Sequence, residues 1–221
     1  GFIGSGGNRY AGSVPDAMYM VNKSASALHF GTGDEIKMTL TADGSLGIGT
    51  LVPLGRFDIH GTTNIHGNLI IREYFSDDIV IEMGTGLDYA EGFNVTDKSD
   101  IEPGTVMCID PDRPGLLKVS DNPYDTKVAG IVAGANELGS GIVLGPGTHD
   151  CNVALAGRVY CNVDATRKGV KAGDLLTTSD TPGYAMKVTS FENARGAVLG
   201  KAMEPLSRGQ KGKILVLVTL Q

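Results

Sequence analysis

Tryptophan is absent from the 221 residues, and aromatic residues make up only 6%. No apolar run approaches the ~18 residues that a membrane-crossing helix needs. Positive charge is not in excess: the formal charge is −6, which argues against non-specific nucleic-acid binding through a basic face. The three cysteines, Cys108, Cys151 and Cys161, form no C-x-x-C pair, which argues against a zinc ribbon. Cys151 and Cys161 fall in one strand-like run, where about 3.3 Å per residue holds them far apart, and all three read as small buried thiols. Helical periodicity is nearly absent; the one short helix expected is S-F-E-N-A-R, 190–195. No secretory leader is visible and the first residue is Gly, so the chain is expected to be a fragment or a processed product.

What is abundant is glycine, 32 residues. This is about twice the ordinary share and predicts many tight turns. Between the glycines lie short alternating runs such as I-K-M-T-L-T (36–41), L-I-I-R-E-Y (69–74) and I-V-I-E-M (79–83). That is a many-stranded β pattern. The character changes near residue 75. Residues 1–75 are Gly-punctuated with very short strands and few large apolar side chains, too few to order a lone compact domain. Burial against other copies of the chain is the expected remedy. Residues 76–221 have longer, more apolar strands.

The second part contains a duplication. P-G-T-V-M-C-I-D-P-D-R-P-G-L-L-K-V (103–119) lies beside A-G-D-L-L-T-T-S-D-T-P-G-Y-A-M-K-V (172–188). Gly104 matches Gly173, Pro114-Gly115 matches Pro182-Gly183, and Lys118-Val119 matches Lys187-Val188. Downstream, V-A-G-I-V-A-G (128–134) faces R-G-A-V-L-G-K (195–201), and each copy runs on to a strand, 153–163 and 213–220. Turn formers and apolar positions repeat, whereas Thr177, Thr178 and Ser179 face Cys108, Ile109 and Asp110. Two readings of 172–188 compete, a nucleophile loop and a hairpin; repetition of turns favours the hairpin. The core is expected to hold Val106, Val119, Ile131, Leu155, Val159, Leu175, Met186, Val198, Ile214, Val216 and Val218. Gly104, Gly115, Gly173 and Gly183 are expected in turns, some at positive φ.

I-K-M-T-L-T-A-D-G-S-L-G-I-G-T (36–50), followed by Pro53 and F-D-I-H-G (57–61), resembles a recurrent segment of bacteriophage tail fibres. F-I-G-S-G-G-N (2–8) resembles the Gly-rich turns of the same shafts. Leu51-Val52 stand where the common form has polar residues before the proline, which implies a changed surface on an unchanged turn. D-Y-A-E-G-F (88–93), I-E-P-G-T-V (101–106), V-A-G-I-V (128–132), A-L-A-G-R-V (154–159) and G-D-L-L-T-T-S-D-T-P-G-Y-A-M (173–186) resemble a β domain near the ends of such fibres. The resemblance implies a structural or adhesive component of a tail fibre or spike, located in the virion or outside the cell. It implies a homotrimer that meets other fibre proteins and a host-cell surface glycan or protein, without cofactor and without membrane insertion.

D-Y-A-E-G-F also resembles the opening of self-cleaving domains of phage appendage proteins. This makes Asp88 and Glu91, with Asp97, Asp100 and Glu102 nearby, candidate acid/base carboxylates, provided two of them lie a few ångströms apart. The competing reading is turn capping and pairing with cations. His60 and His66 in I-H-G-T-T-N-I-H-G are candidate ligands for a transition metal on a three-fold axis, against a repeated I-H-G turn. His29 and His149 have no telling neighbours. Asp110, Asp112, Asp121 and Asp125 make an incomplete calcium pattern that ordinary turn chemistry explains. Phosphate-loop and G-x-S-x-G patterns are missing.

The chain therefore reads as all-β: a thin, intertwined, trimeric β shaft or collar over 1–75, then a compact β barrel or sandwich over 76–221 built from two related halves, about 101–163 and 170–220. Its expected role is that of a distal tail-fibre or spike segment in host attachment, with binding residues in loops 134–150 and 190–195. The alternatives are a self-cleaving maturation domain and a subunit of a cellular extracellular filament or adhesin.

Overall fold

The computed structural model describes residues 2–5, 18–72, 79–99, 101–145 and 149–219, and these are all-β, with no α-helix among them. The chain divides into two compact units, Gly1–Ile65 and His66–Gln221.

In the first unit, β1 (Phe2–Ser5) pairs antiparallel with β2 (Met18–Val21). A four-stranded sheet follows, ordered β3 (Leu28–Thr32), β4 (Glu35–Leu40), β5 (Leu46–Ile48) and β6 (Phe57–Ile59). The β3–β4 hairpin turns on Gly33 and Asp34, whose φ of 60° and 61° match a tight turn with two left-handed residues. The β4–β5 connection is the expected Asp-Gly turn, with the Thr41 amide bonded to Ser45 O at 2.9 Å and Gly44 at φ 86°. Gly47 shows why the G-I-G-T segment needs glycine. The chain folds back over it, and a Cβ there would lie 2.7 Å from Thr50 O and 3.6 Å from Pro53 Cβ.

Cross-strand register puts Leu28, Phe30, Ile36, Met38, Leu40, Leu46, Ile48, Phe57 and Ile59 on one face of this sheet. The other face carries His29, Thr39, Gly47 and Asp58, with the His29 ring bonded to the buried Thr39 hydroxyl at 3.0 Å. The apolar face is left open: Phe30, Ile36, Leu40, Ile48 and Phe57 are exposed, Phe57 by 63%.

The second unit is one large sheet that partly closes on itself. At one end stand β7 (Leu69–Arg72), β8 (Ile79–Met83), β9 (Asp88–Phe93) and later β13 (Ile142–Leu144), in spatial order β7, β8, β13, β9. The first copy of the duplication is β10 (Val106–Ile109), β11 (Leu117–Val119), β12 (Val128–Val132) and the long β14 (Cys151–Asp164). The second is β15 (Leu175–Thr178), β16 (Ala185–Lys187), β17 (Val198–Ala202) and β18 (Lys211–Thr219). Strands β14, β16, β15, β17 and β18 form a closed five-stranded barrel, completed by the parallel pair Val163–Ala185.

The two copies repeat their backbone bonds. Gly104 N–H donates to Val132 O and Gly173 N–H to Ala202 O, both at 2.8 Å. The first strand of each copy meets the third with one irregular step, between Met107 and Cys108 and between Leu176 and Thr177. This register corrects the sequence alignment in two places. Met107 lies opposite Val119 and Leu176 opposite Lys187, so Lys118 corresponds to Met186 rather than to Lys187. Met107 lies opposite Gly130 and Leu176 opposite Gly200, so V-A-G-I-V corresponds to V-L-G-K-A (198–202), three residues beyond the expected match. Segment 190–195 is not a helix but a run of turns, in which the Ala194 amide bonds to Ser190 O at 3.2 Å.

One core joins both copies: Val106, Ile131, Val159, Cys161, Val163, Leu176, Leu199, Ile214, Val216 and Val218 pack in a single buried cluster. Val198 is buried in a satellite cluster against which Leu175 packs half-buried. Val119 and Leu155 are half-buried against another. Met186, expected in the core, is also half-buried and lines a cleft. All four expected turn glycines have positive φ: Gly104 100°, Gly115 85°, Gly173 89° and Gly183 75°.

Candidate functional site

The hydroxyls of 177–179 are structural. Thr177, Thr178 and Ser179 are fully or almost fully buried in the β15–β16 hairpin. Thr177 donates to Ala197 O at 2.7 Å, while Thr178 and Ser179 accept the amides of Asp125 and Thr181 at 2.8 and 3.1 Å. The thiols are equally inert: burial pushes Cys108 up to about 12 and Cys151 up to about 11, and no disulfide links the three cysteines.

Asp88 and Glu91 both lie on β9, three residues apart, and the alternation of a strand turns them to opposite faces. Asp88 is buried beside Ser140, whose hydroxyl stands 3.4 Å from its Oδ2, while Oδ1 has no partner among the described residues. Burial pushes its carboxyl above the ordinary value, and the Ser140 bond only partly opposes this. Asp97 accepts the Ser99 amide at 2.9 Å and Glu102 meets Lys213 at 3.3 Å; Asp100 lies outside the described residues. These are the turn-capping and cation-pairing roles, and the strand brings no second carboxyl to Asp88.

His60 holds its place through the backbone, its amide donating to Ile48 O at 2.9 Å. Its ring Nε2 is 3.7 Å from Asp58 Oδ1 and is largely exposed, as is His66. Among the described residues no group of three His, Cys, Asp or Glu side chains could hold a metal. Three of the four calcium candidates are occupied locally, while Asp112 takes part through its backbone amide. Asp110 takes the Thr96 hydroxyl at 2.5 Å and the Asp112 amide at 2.9 Å, Asp121 takes Lys118 at 3.2 Å, and Asp125 takes Lys127 at 2.6 Å.

Two clefts in the second unit border the loops expected to bind. The larger, about 520 Å³, includes Gly134, Gly139 and Ser140 of segment 134–150, which is not one loop, since β13 (Ile142–Leu144) pairs with β8 and β9 inside it, and of which 146–148 lie outside the described residues. The smaller, about 350 Å³, lies between Tyr124, the turn Thr166–Lys168, Asp180, Met186 and Asn193 of segment 190–195. Its residues come from four turns and from strand β16, which the barrel closure gathers.

The remaining feature is apolar surface. Besides the open face of the first unit, register in the second aligns Leu69 with Met83 and Ile142, and Ile71 with Ile81 and Leu144. Of these six, Leu69, Ile71, Met83 and Ile142 are exposed, and β7 ends the sheet as an unpaired edge among the described residues. No run of sequence announced this face, because it is assembled from three separate strands. No family model matches the chain, and no curated protein matches it either.

Proposed function

We propose that the chain is a structural segment of a phage-type tail fibre or spike that works as a symmetric oligomer, three copies about one axis, in host attachment. The observation that carries this reading is the open apolar face of β3–β6. A sheet with one apolar face must bury it against another layer, and monomers rarely expose contiguous apolar patches beyond a few hundred Å². The first unit supplies no such layer among its described residues: the polar side is covered by its own 50–53 loop, and the apolar side is not. Identical faces from other copies are the chemically matched cover, and closed cyclic symmetry is the usual way to use them. The second uncovered face, on β7, β8 and β13, supports the same reading.

Attachment then proceeds by weak contacts repeated around the axis, which add by avidity and require no covalent step. Static light scattering over a range of concentrations tests the assembly. The expected mass is three times 23.1 kDa at every concentration. A mass of one chain at high concentration overturns the reading.

A further inference from the structure

We propose that the cleft walled by Tyr124 and Met186 binds a carboxylate-bearing sugar, a uronic-acid-type unit of a surface polysaccharide; this rests on the attachment reading above. Among the described residues Tyr124 is one of four non-glycine residues with positive φ, 57°, a conformation that strains a bulky side chain. The strain is held because the phenol oxygen accepts the amides of Thr189 and Ser190 at 2.9 and 3.1 Å and meets Thr189 Oγ1 at 3.1 Å. With its oxygen fully engaged, Tyr124 offers the cleft a fixed ring. Met186 adds a second, polarisable apolar surface. Such a pair suits the C–H face of a pyranose ring, and a cleft of about 350 Å³ has room for one or two sugar units.

The polar groups decide the charge of the ligand. Arg167 is bound to Asp180 at 2.6 Å and Lys187 to Asp174 at 2.7 Å. Asp164 is taken by Thr166, Thr181 and Lys211. Lys168 has no ion pair and Asn193 no side-chain hydrogen bond among the described residues lining the cleft. The cleft therefore keeps one uncompensated ammonium and one free amide, beside an exposed Arg167–Asp180 pair able to meet hydroxyls. One carboxylate with several hydroxyls on a ring satisfies that set. A phosphate calls for several convergent donors, and an apolar ligand would bury the charges without partners.

The test is titration of the full chain with methyl β-glucuronide and with methyl β-glucoside, followed by saturation-transfer NMR, with the native mass recorded on the same samples. Saturable binding of the glucuronide is expected, with the glucoside weaker by about tenfold, the effect of one charged hydrogen bond. Lys168→Ala should remove the preference, Lys168→Arg should keep it, and Lys201→Ala, on β17, should leave it unchanged. Absence of glucuronide binding, equal binding of both sugars, or a preference that survives Lys168→Ala overturns the proposal. Because the cleft lies within one chain, a trimer that binds no sugar refutes the cleft alone. A monomer that binds the glucuronide refutes the assembly alone.

Discussion

Gly130 and Gly200 occupy the same place in the two copies of the duplication. Each sits where the third strand passes close to a neighbour's backbone. A Cβ on Gly130 would stand 2.4 Å from Ala154 O, and one on Gly200 would stand 2.2 Å from Leu217 O. Neither carbonyl can move without breaking the ladder of β14 or β18. Alanine at either position is expected to destabilise the second unit by on the order of 2 kcal/mol. At Gly139 a Cβ meets nothing within 4 Å, so Gly139→Ala should leave the thermal midpoint almost unchanged. Equal midpoints for all three variants would show that the crossings are looser than the distances state.

Thr178 tests the role of the hydroxyl run. Its Oγ1 accepts the Asp125 amide at 2.8 Å inside the core. Thr178→Val keeps the shape but leaves that amide buried without a partner, at a cost of about 1–3 kcal/mol. Thr178→Ser should recover most of the loss. A valine variant as stable as the parent in a denaturant titration would remove the hydroxyl from the framework.

These two cases mark which layers of the fold are legible in the sequence. Turn chemistry is readable because only a few residues fit left-handed backbone: Gly104, Gly115, Gly173 and Gly183 identify both hairpins. The offset between copies is not. Val119 to Val128 and Lys187 to Val198 are spanned by loops of different length without any apolar period, so the third strands slip in the alignment until pairing fixes them. Met186 reads as core because its strand alternates, yet the closure of β16 on β14 leaves it half-buried in a cleft. The cleft itself joins Tyr124 to Lys168 and Asn193 across long stretches of chain, a proximity that no local pattern encodes. In the first unit, apolar residues are few, but strand alternation with Lys37, Thr39, Gly47 and Asp58 collects them on one side.

Asp164 makes stability depend on pH. Burial by itself would raise its carboxyl, but hydrogen bonds from Thr166 and Thr181, with Lys211 behind them, outweigh it and hold the group well below the usual carboxylate range. The folded state therefore binds this proton more weakly than the unfolded state. The resulting stability is fully present above the unfolded carboxylate value of ~3.9 and is lost as pH falls towards the depressed folded value. Asp164→Asn should lower stability at pH 7 and flatten the decline between pH ~5 and ~2. An unchanged acid slope in the variant would assign that decline to other carboxylates.

Ile48 and Phe57 decide whether the open face of β3–β6 is an interface. Both point from the apolar side of the sheet; Ile48 pairs with Met38, and Phe57 with Leu46. Both are exposed in the single chain, so replacing either with Asp costs that chain little buried area and should leave its own fold intact. In the proposed three-fold assembly the same change would bury three carboxylates at one seam without partners, a cost of several kcal/mol for each. Ile48→Asp and Phe57→Asp are therefore expected to lower the mass seen by light scattering to that of one chain, with unchanged circular dichroism. Lys37→Asp, on the opposite face of β4, should keep the parent mass. Retention of the full mass by both apolar-face variants would place the contact between copies elsewhere and leave the nine side chains without a cover.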